Sequence, residues 1–129
     1  MSDAQPRRVL LISDSSDERE MYAEWLRHDG FSTLQASTAA DAYRIASELT
    51  PAAIVTDVRL EGDEDGLHLT ERLKRDEHTR NVPVVILTGR VFVRDREAAA
   101  RAGCDMFVPK PCLPDALSQL VSSLIAARS

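Results

Sequence analysis

Residues 9–18 read VLLISDSSDE: four apolar residues, Ser13, a lone acid at Asp14, and a small polar stretch. Val9–Ile12 shows no apolar–polar alternation, as expected of a strand buried on both faces. Ser15 and Glu18 then have the spacing of a capping box. Met21, Tyr22, Trp25 and Leu26 fall on one helical face before Gly30 supplies a stop. A strand that passes through an acid into a helix is one β/α unit, and the same alternation continues along the chain.

FSTLQA (Phe31–Ala36) reads as a weaker strand. Ser37 or Thr38 caps a helix whose apolar side is Ala42, Ile45, Ala46 and Leu49, and Pro51 ends it. AAIVTD (Ala52–Asp57) is a third strand. The acidic loop RLEGDEDG leads into a helix from about Leu67 to Arg75. Pro83 opens a fourth strand, VVILTG, and a helix from about Arg94 to Ala102 follows, closed by Gly103. DMFVPKP holds a fifth strand. Pro114 suits the first position of a last helix bearing Leu117, Leu120, Val121, Leu124 and Ile125. Five β/α units of this kind call for an α/β domain with a parallel sheet and helices on both faces, because right-handed crossovers deposit them there.

A chain of 129 residues with 43% hydrophobic content buries one core, so a single domain over residues 1–129, with its core at about 7–127, is expected. A net charge of -5 and a pI near 5.2 argue against nucleic-acid binding, which needs a basic face. No apolar run reaches the roughly 18–20 residues of a membrane span, and MSDAQPRR lacks the apolar stretch of a signal peptide. The cytoplasm is the expected compartment. Cys104 and Cys112 lack metal-ligand spacing and read as buried or half-buried thiols. His28, His68 and His78 read as exposed.

In parallel α/β sheets the reactive groups gather at the carboxyl ends of the strands. Those ends carry Asp14, Asp57, Thr88 and Lys110. Singly each is ordinary: an Asp after a strand is commonly a turn residue, a Thr bonds backbone, and a loop Lys is solvated. Together they place two carboxylates, a hydroxyl and an ammonium on one rim. Lys110 is one of two lysines against fourteen arginines, and it stands between Pro109 and Pro111.

The chain resembles the receiver domains of two-component response regulators, from LLISDSSDE through AAIVTDVRL, DGLHL and VPVVILTG to GCDMFVPKP. The resemblance implies a flavodoxin-like, doubly wound five-stranded parallel sheet in the order 2-1-3-4-5, with five helices. It implies that Asp57 accepts a phosphoryl group from a phosphohistidine of a sensor histidine kinase or histidine phosphotransfer protein. The phosphoryl group would then switch binding to a downstream protein target. Asp14, Asp57 and the backbone carbonyl of Arg59 would hold Mg2+ or Mn2+, with Ser13 reaching the metal through a water. Thr88 and Lys110 would contact phosphoryl oxygens, and Phe107 would be the switch aromatic. Catalysis would be confined to self-phosphorylation and self-dephosphorylation, in a receiver without an output domain.

The chemistry asks for these groups independently. A carboxylate attacking a phosphoryl group has the same sign of charge, so a cation and a fixed ammonium must offset it. Magnesium keeps several waters, so two carboxylates suffice. Gly89, beside Thr88, leaves room for a phosphoryl donor. An aspartyl-nucleophile phosphatase would place its second acid two residues after Asp14, where Ser16 stands, and no glycine-rich phosphate loop follows the first strand.

Two departures from the receiver pattern stand out. Ser13 occupies a position where receivers usually carry an acid, which brings in an alternative expectation: a degenerate receiver serving as a constitutive protein-binding scaffold. The loop from Asp57 to Gly66 is one residue longer than the commonest pattern, with Glu61 at the usual proline position. Glu64 and Asp65 read as a solvated loop, Asp65 lying at the N-terminus of the next helix, where negative charge is favourable.

Overall fold

The computed structural model describes residues 7–128; residues 1–6, with most of MSDAQPRR, and Ser129 lie outside the described residues. Ten elements alternate: β1 (Arg8–Ile12), α1 (Ser16–His28), β2 (Ser32–Ala36), α2 (Ala39–Leu49), β3 (Ala53–Thr56), α3 (Gly66–Arg75), β4 (Val84–Thr88), α4 (Val93–Ala102), β5 (Met106–Pro109) and α5 (Pro114–Ala127). The strands form one parallel sheet in the order β2-β1-β3-β4-β5. This is the doubly wound order expected from the resemblance.

The sheet divides its side chains by parity, since successive residues of a strand point to opposite faces. Val9, Leu11, Val55, Val85 and Leu87 pack under Tyr22 and Leu26 of α1 and Leu117, Val121 and Ile125 of α5. Leu10, Ile12, Ile54 and Val84 pack on the other face against Ala42 and Ala46 of α2 and Leu69 and Leu73 of α3. Ile86 meets Ala99 of α4. Each fully buried Val, Leu or Ile contributes roughly 1.5–3 kcal/mol relative to exposure, so these central strands dominate the apolar stabilisation.

Helix faces depart in places from the sequence reading. Met21 and Trp25 of α1 are 44% and 42% exposed, because the buried stripe is Tyr22, Ala23 and Leu26. In α2 the core face is Ala39, Ala42 and Ala46, while Leu49 is exposed. Small side chains let that helix lie close to the sheet. Thr38, not Ser37, caps it by accepting from the Asp41 N–H. α5 starts at Pro114 and buries Leu117, Val121 and Ile125 as its spacing predicts, with Leu120 and Leu124 half-buried.

The start of α3 bears on the site. Asp65 is its N-cap and accepts from the His68 N–H at 2.8 Å. A Cβ on Gly66 would lie 1.9 Å from the carbonyl oxygen of Asp57, so only glycine lets α3 begin against that backbone. The Gly66 N–H donates to the Val58 carbonyl at 2.8 Å. The lengthened loop is thereby pinned at its far end.

Candidate functional site

The carboxyl ends of β1, β3, β4 and β5 open onto a cleft of about 330 Å³ lined by Asp14, Asp57, Arg59, Thr88, Gly89, Arg90 and Lys110. Asp57 follows the fully buried Thr56, and its N–H donates to the Ile12 carbonyl at 2.9 Å, extending the β1–β3 ladder by one bond. Its own carbonyl accepts from the Thr56 hydroxyl at 2.8 Å. The backbone beneath this carboxylate is therefore held by strand pairing, a buried hydroxyl and the α3 glycine.

The Asp57 side chain is 13% exposed. Its Oδ1 accepts from the Val58 N–H at 2.6 Å, and the Arg59 N–H approaches the same oxygen at 3.4 Å. Its Oδ2 accepts from the Lys110 ammonium at 2.6 Å. Lys110 is brought there by the β4–β5 ladder, where its N–H donates to the Thr88 carbonyl at 2.9 Å and Thr88 lies level with Pro109. The Lys110–Pro111 peptide bond is cis. Burial works against the ammonium, but hydrogen bonds to Asp57 and Glu18 outweigh it and hold the Lys110 pKa above its ordinary value.

Thr88 is buried, and its hydroxyl accepts from the Arg90 N–H at 3.1 Å. Asp14 is exposed at the cleft mouth. Phe107 is half-buried against Val58, Ile86 and Ala99, with the Arg96 guanidinium 4.9 Å from its ring centroid. The structure thus joins Asp14, Asp57, Arg59, Thr88 and Lys110 around one cleft, and sets Phe107 next to β4 through its pairing with Ile86.

Ser13 is not brought there. It is buried, and its hydroxyl donates to the Ser15 carbonyl at 3.0 Å and accepts from the Ser15 N–H at 3.2 Å. It closes a turn before α1 and is absent from the lining of that cleft, while it shares a smaller pocket with Glu18 and Asp57. Among the described residues no three His, Cys, Asp or Glu side chains converge on one point, and the carboxylates of Asp14 and Asp57 border the cleft together with Arg59. A hard, water-keeping divalent cation fits such oxygens better than a soft metal. Glu64 is engaged elsewhere, accepting from Arg72 at 2.7 Å and pairing with His68 at 2.8 Å. Glu61 is exposed and forms a lone β-bridge with Thr38.

Two residues with a part in the site escaped the sequence reading. Gly66 reads in the sequence only as the end of the acidic loop. Glu18, read as half of a capping box, sends its carboxylate to Lys110 at 2.7 Å. Only the Ser15 half of the box forms, the Ser15 hydroxyl accepting from the Glu18 N–H at 3.1 Å. A signal was present: Glu18, Tyr22 and Leu26 are spaced by four, so the acid lies at the head of the buried stripe of α1. Tyr22 closes that side, donating to the Cys112 carbonyl at 2.7 Å, and burial pushes its pKa up to about 12. Both thiols are half-buried and unpaired in disulfides, and burial raises their pKa, so neither is an activated nucleophile.

Residues 9–122 match the model of the response regulator receiver domain. The chain is similar to response regulator Rre1 of Synechocystis sp., with 32% identity over 124 residues covering 95% of this chain and 53% of that protein. It therefore spans about half the length of that relative. Among solved structures, it resembles the signal receiver domain of a signal transduction histidine kinase from Syntrophus aciditrophicus. The TM-score is 0.87 at 29% identity, covering 94% of this chain and 91% of that one. It also resembles the receiver domain of a sensor histidine kinase from Pseudomonas aeruginosa, with a TM-score of 0.86 at 26% identity, covering 95% and 99%. That structure carries a magnesium ion in its active-site cleft, so magnesium is a ligand within the family. No helix among the described residues is long and apolar enough to cross a membrane. With its sheet order, its rim of Asp14, Asp57, Thr88 and Lys110, and the match over residues 9–122, this chain belongs to the response regulator receiver domain family of two-component signalling.

Proposed function

We propose that Asp57 takes a phosphoryl group from a phosphohistidine of a sensor histidine kinase or a histidine phosphotransfer protein, and that the aspartyl phosphate switches binding to a protein target. The observation that carries this reading is the 2.6 Å contact of the Lys110 ammonium with Asp57 Oδ2 beside an open cleft. A carboxylate oxygen of Asp57 attacks phosphorus as the P–N bond to the imidazole breaks, and the imidazole leaves with the bonding pair. Lys110 loses its contact with the bare carboxylate and turns to a phosphoryl oxygen, offsetting the new charge. Thr88, whose hydroxyl now accepts from the Arg90 N–H, donates to another phosphoryl oxygen. Its movement frees space toward Phe107 and biases the surface of α4, β5 and α5.

Mg2+, or Mn2+, held by Asp14, Asp57 and the Arg59 carbonyl would neutralise charge on the transferring oxygens. Asp14 is exposed and suited to bind through its carboxylate, and Asp57 keeps Oδ1 anchored by backbone N–H groups while it does so. Beyond self-phosphorylation and self-dephosphorylation no catalysis is proposed, and the cytoplasm is the proposed compartment. The constitutive-scaffold reading rests on Ser13 alone, whereas Asp14, Asp57, Thr88 and Lys110 all line the cleft.

Incubation with acetyl phosphate and magnesium, followed by intact mass measurement, tests the assignment. The parent is expected to gain one phosphoryl group and Asp57→Asn none. A phosphoryl gain in Asp57→Asn would refute Asp57 as the acceptor.

A further inference from the structure

The ammonium of Lys110 lies between two carboxylates, 2.6 Å from Asp57 Oδ2 and 2.7 Å from Glu18 Oε2. All three side chains are shielded, with exposures of 24% for Lys110, 13% for Asp57 and 25% for Glu18. Asp57 is the acceptor in the function proposed above, whereas no role has been given to Glu18. It sits in the first turn of α1, and in a complete capping box its carboxylate would fold back onto the Ser15 N–H. Here that N–H is already taken by the Ser13 hydroxyl at 3.2 Å. Glu18 is released from capping and reaches across to the loop after β5, 92 residues away. The neutral residue at position 13 and the acid at position 18 are thus parts of one arrangement. Position 13 carries no charge, and Glu18 brings one to the lysine.

We propose that Glu18 is a positioning residue that holds Lys110 beside Asp57 and competes with the phosphoryl group for it, lowering the affinity of the site for a phosphoryl group. The inference rests on the phosphoacceptor reading of Asp57. Before phosphorylation one ammonium serves two single negative charges. Afterwards it faces Glu18 on one side and a phosphoryl group of higher charge on the other, and those two anions repel each other across a few ångströms of shielded space. Removing the charge of Glu18 while keeping its shape leaves Lys110 wholly to the phosphoryl group.

The test uses beryllofluoride as the phosphoryl mimic, at saturating magnesium, with the affinity read from amide shifts. Glu18→Gln is expected to bind beryllofluoride roughly threefold to tenfold more tightly than the parent at low salt, and the difference should shrink as ionic strength rises. Glu18→Asp, which keeps the charge, should stay closer to the parent than Glu18→Gln does. Equal or weaker binding by Glu18→Gln would overturn the competition. The holding role has its own readout in the NMR signal of the Lys110 side-chain ammonium, resolved easily because the chain has two lysines. In an Asp57→Asn background the signal should remain restrained, and adding Glu18→Gln should mobilise it. An ammonium equally mobile in both would overturn the anchor. Failure of the phosphoacceptor reading is distinguishable, because it shows in the parent, which would then gain neither phosphoryl mass nor beryllofluoride. That result removes the competition, while the ammonium signal still decides the anchor.

Discussion

The chain has two lysines, and each pairs with an aspartate at an opposite end of the sheet. At the amino ends of β4 and β5, Lys74 donates to the Val82 carbonyl at 2.9 Å, the Arg80 carbonyl at 3.2 Å and Asp105 Oδ2 at 2.8 Å. All three of its donors are in use. Asp105 is bound again by the Val84 N–H at 2.7 Å and by Arg128 at 2.8 Å. At the carboxyl ends, the structure gives Lys110 two partners, Asp57 and Glu18, and both are side chains bordering the site. The ammonium of the first lysine is bolted to backbone, and that of the second is held by side chains. The same residue types make a structural clamp where the partners are backbone and, in the proposed function, a sensing group where they are side chains.

The comparison is sharpest where the switching end depends on rigid backbone. Gly66→Ala would push a Cβ into the Asp57 carbonyl, so a stability loss of about 3 kcal/mol is expected, together with slower phosphoryl uptake as Asp57 shifts. Urea unfolding and the rate of mass gain measure both. Unchanged values would mean that α3 can retreat and that the backbone at this end is not fixed.

The lysines can be exchanged for an uncharged side chain of similar length. Lys74→Met should cost about 2 kcal/mol, since two carbonyls and a carboxylate lose a charged partner, while the beryllofluoride response at the α4–β5–α5 surface persists. Lys110→Met should cost less than Lys74→Met, because its ammonium serves side chains and strips no backbone carbonyl of a donor, yet it should lose that response. Matching stability losses in the two variants would erase the distinction between clamp and sensor.

The smallest effect expected is in the pH dependence of stability. Lys110 is held above its ordinary value of 10.5, so its contribution is complete below that value and is lost as pH rises through its raised folded-state pKa. Burial would raise the pKa of Asp105, but hydrogen bonds from Lys74 and the Val84 N–H outweigh it and hold the pKa below the ordinary 3.8. Its contribution is complete above 3.8 and is lost as pH falls through the depressed folded-state value. Urea midpoints should therefore show Lys110→Met flattening the alkaline limb and Asp105→Asn the acid limb. Each variant altering the opposite limb would contradict the assignment.

The alternation of elements and the polar residues at the strand ends were legible in the sequence because they are local facts. A run such as Val9–Ile12 or Val84–Leu87 is apolar at every position only if both faces are covered, and covered parallel strands bring their carboxyl ends to one rim. Asp14, Asp57, Thr88 and Lys110 follow from that logic, and the family resemblance assigned them roles. Helix faces were less legible at Met21, Trp25 and Leu49, since apolar spacing by itself does not say which side of a wide stripe meets the sheet. What only the tertiary structure decided is pairing between distant segments. Glu18 crosses to Lys110, 92 residues away, and Gly66 meets the Asp57 carbonyl, each through a contact with no periodic trace in the chain. Periodicity reports burial one element at a time, whereas a charge finds its partner only when two loops far apart in sequence are set side by side by the sheet.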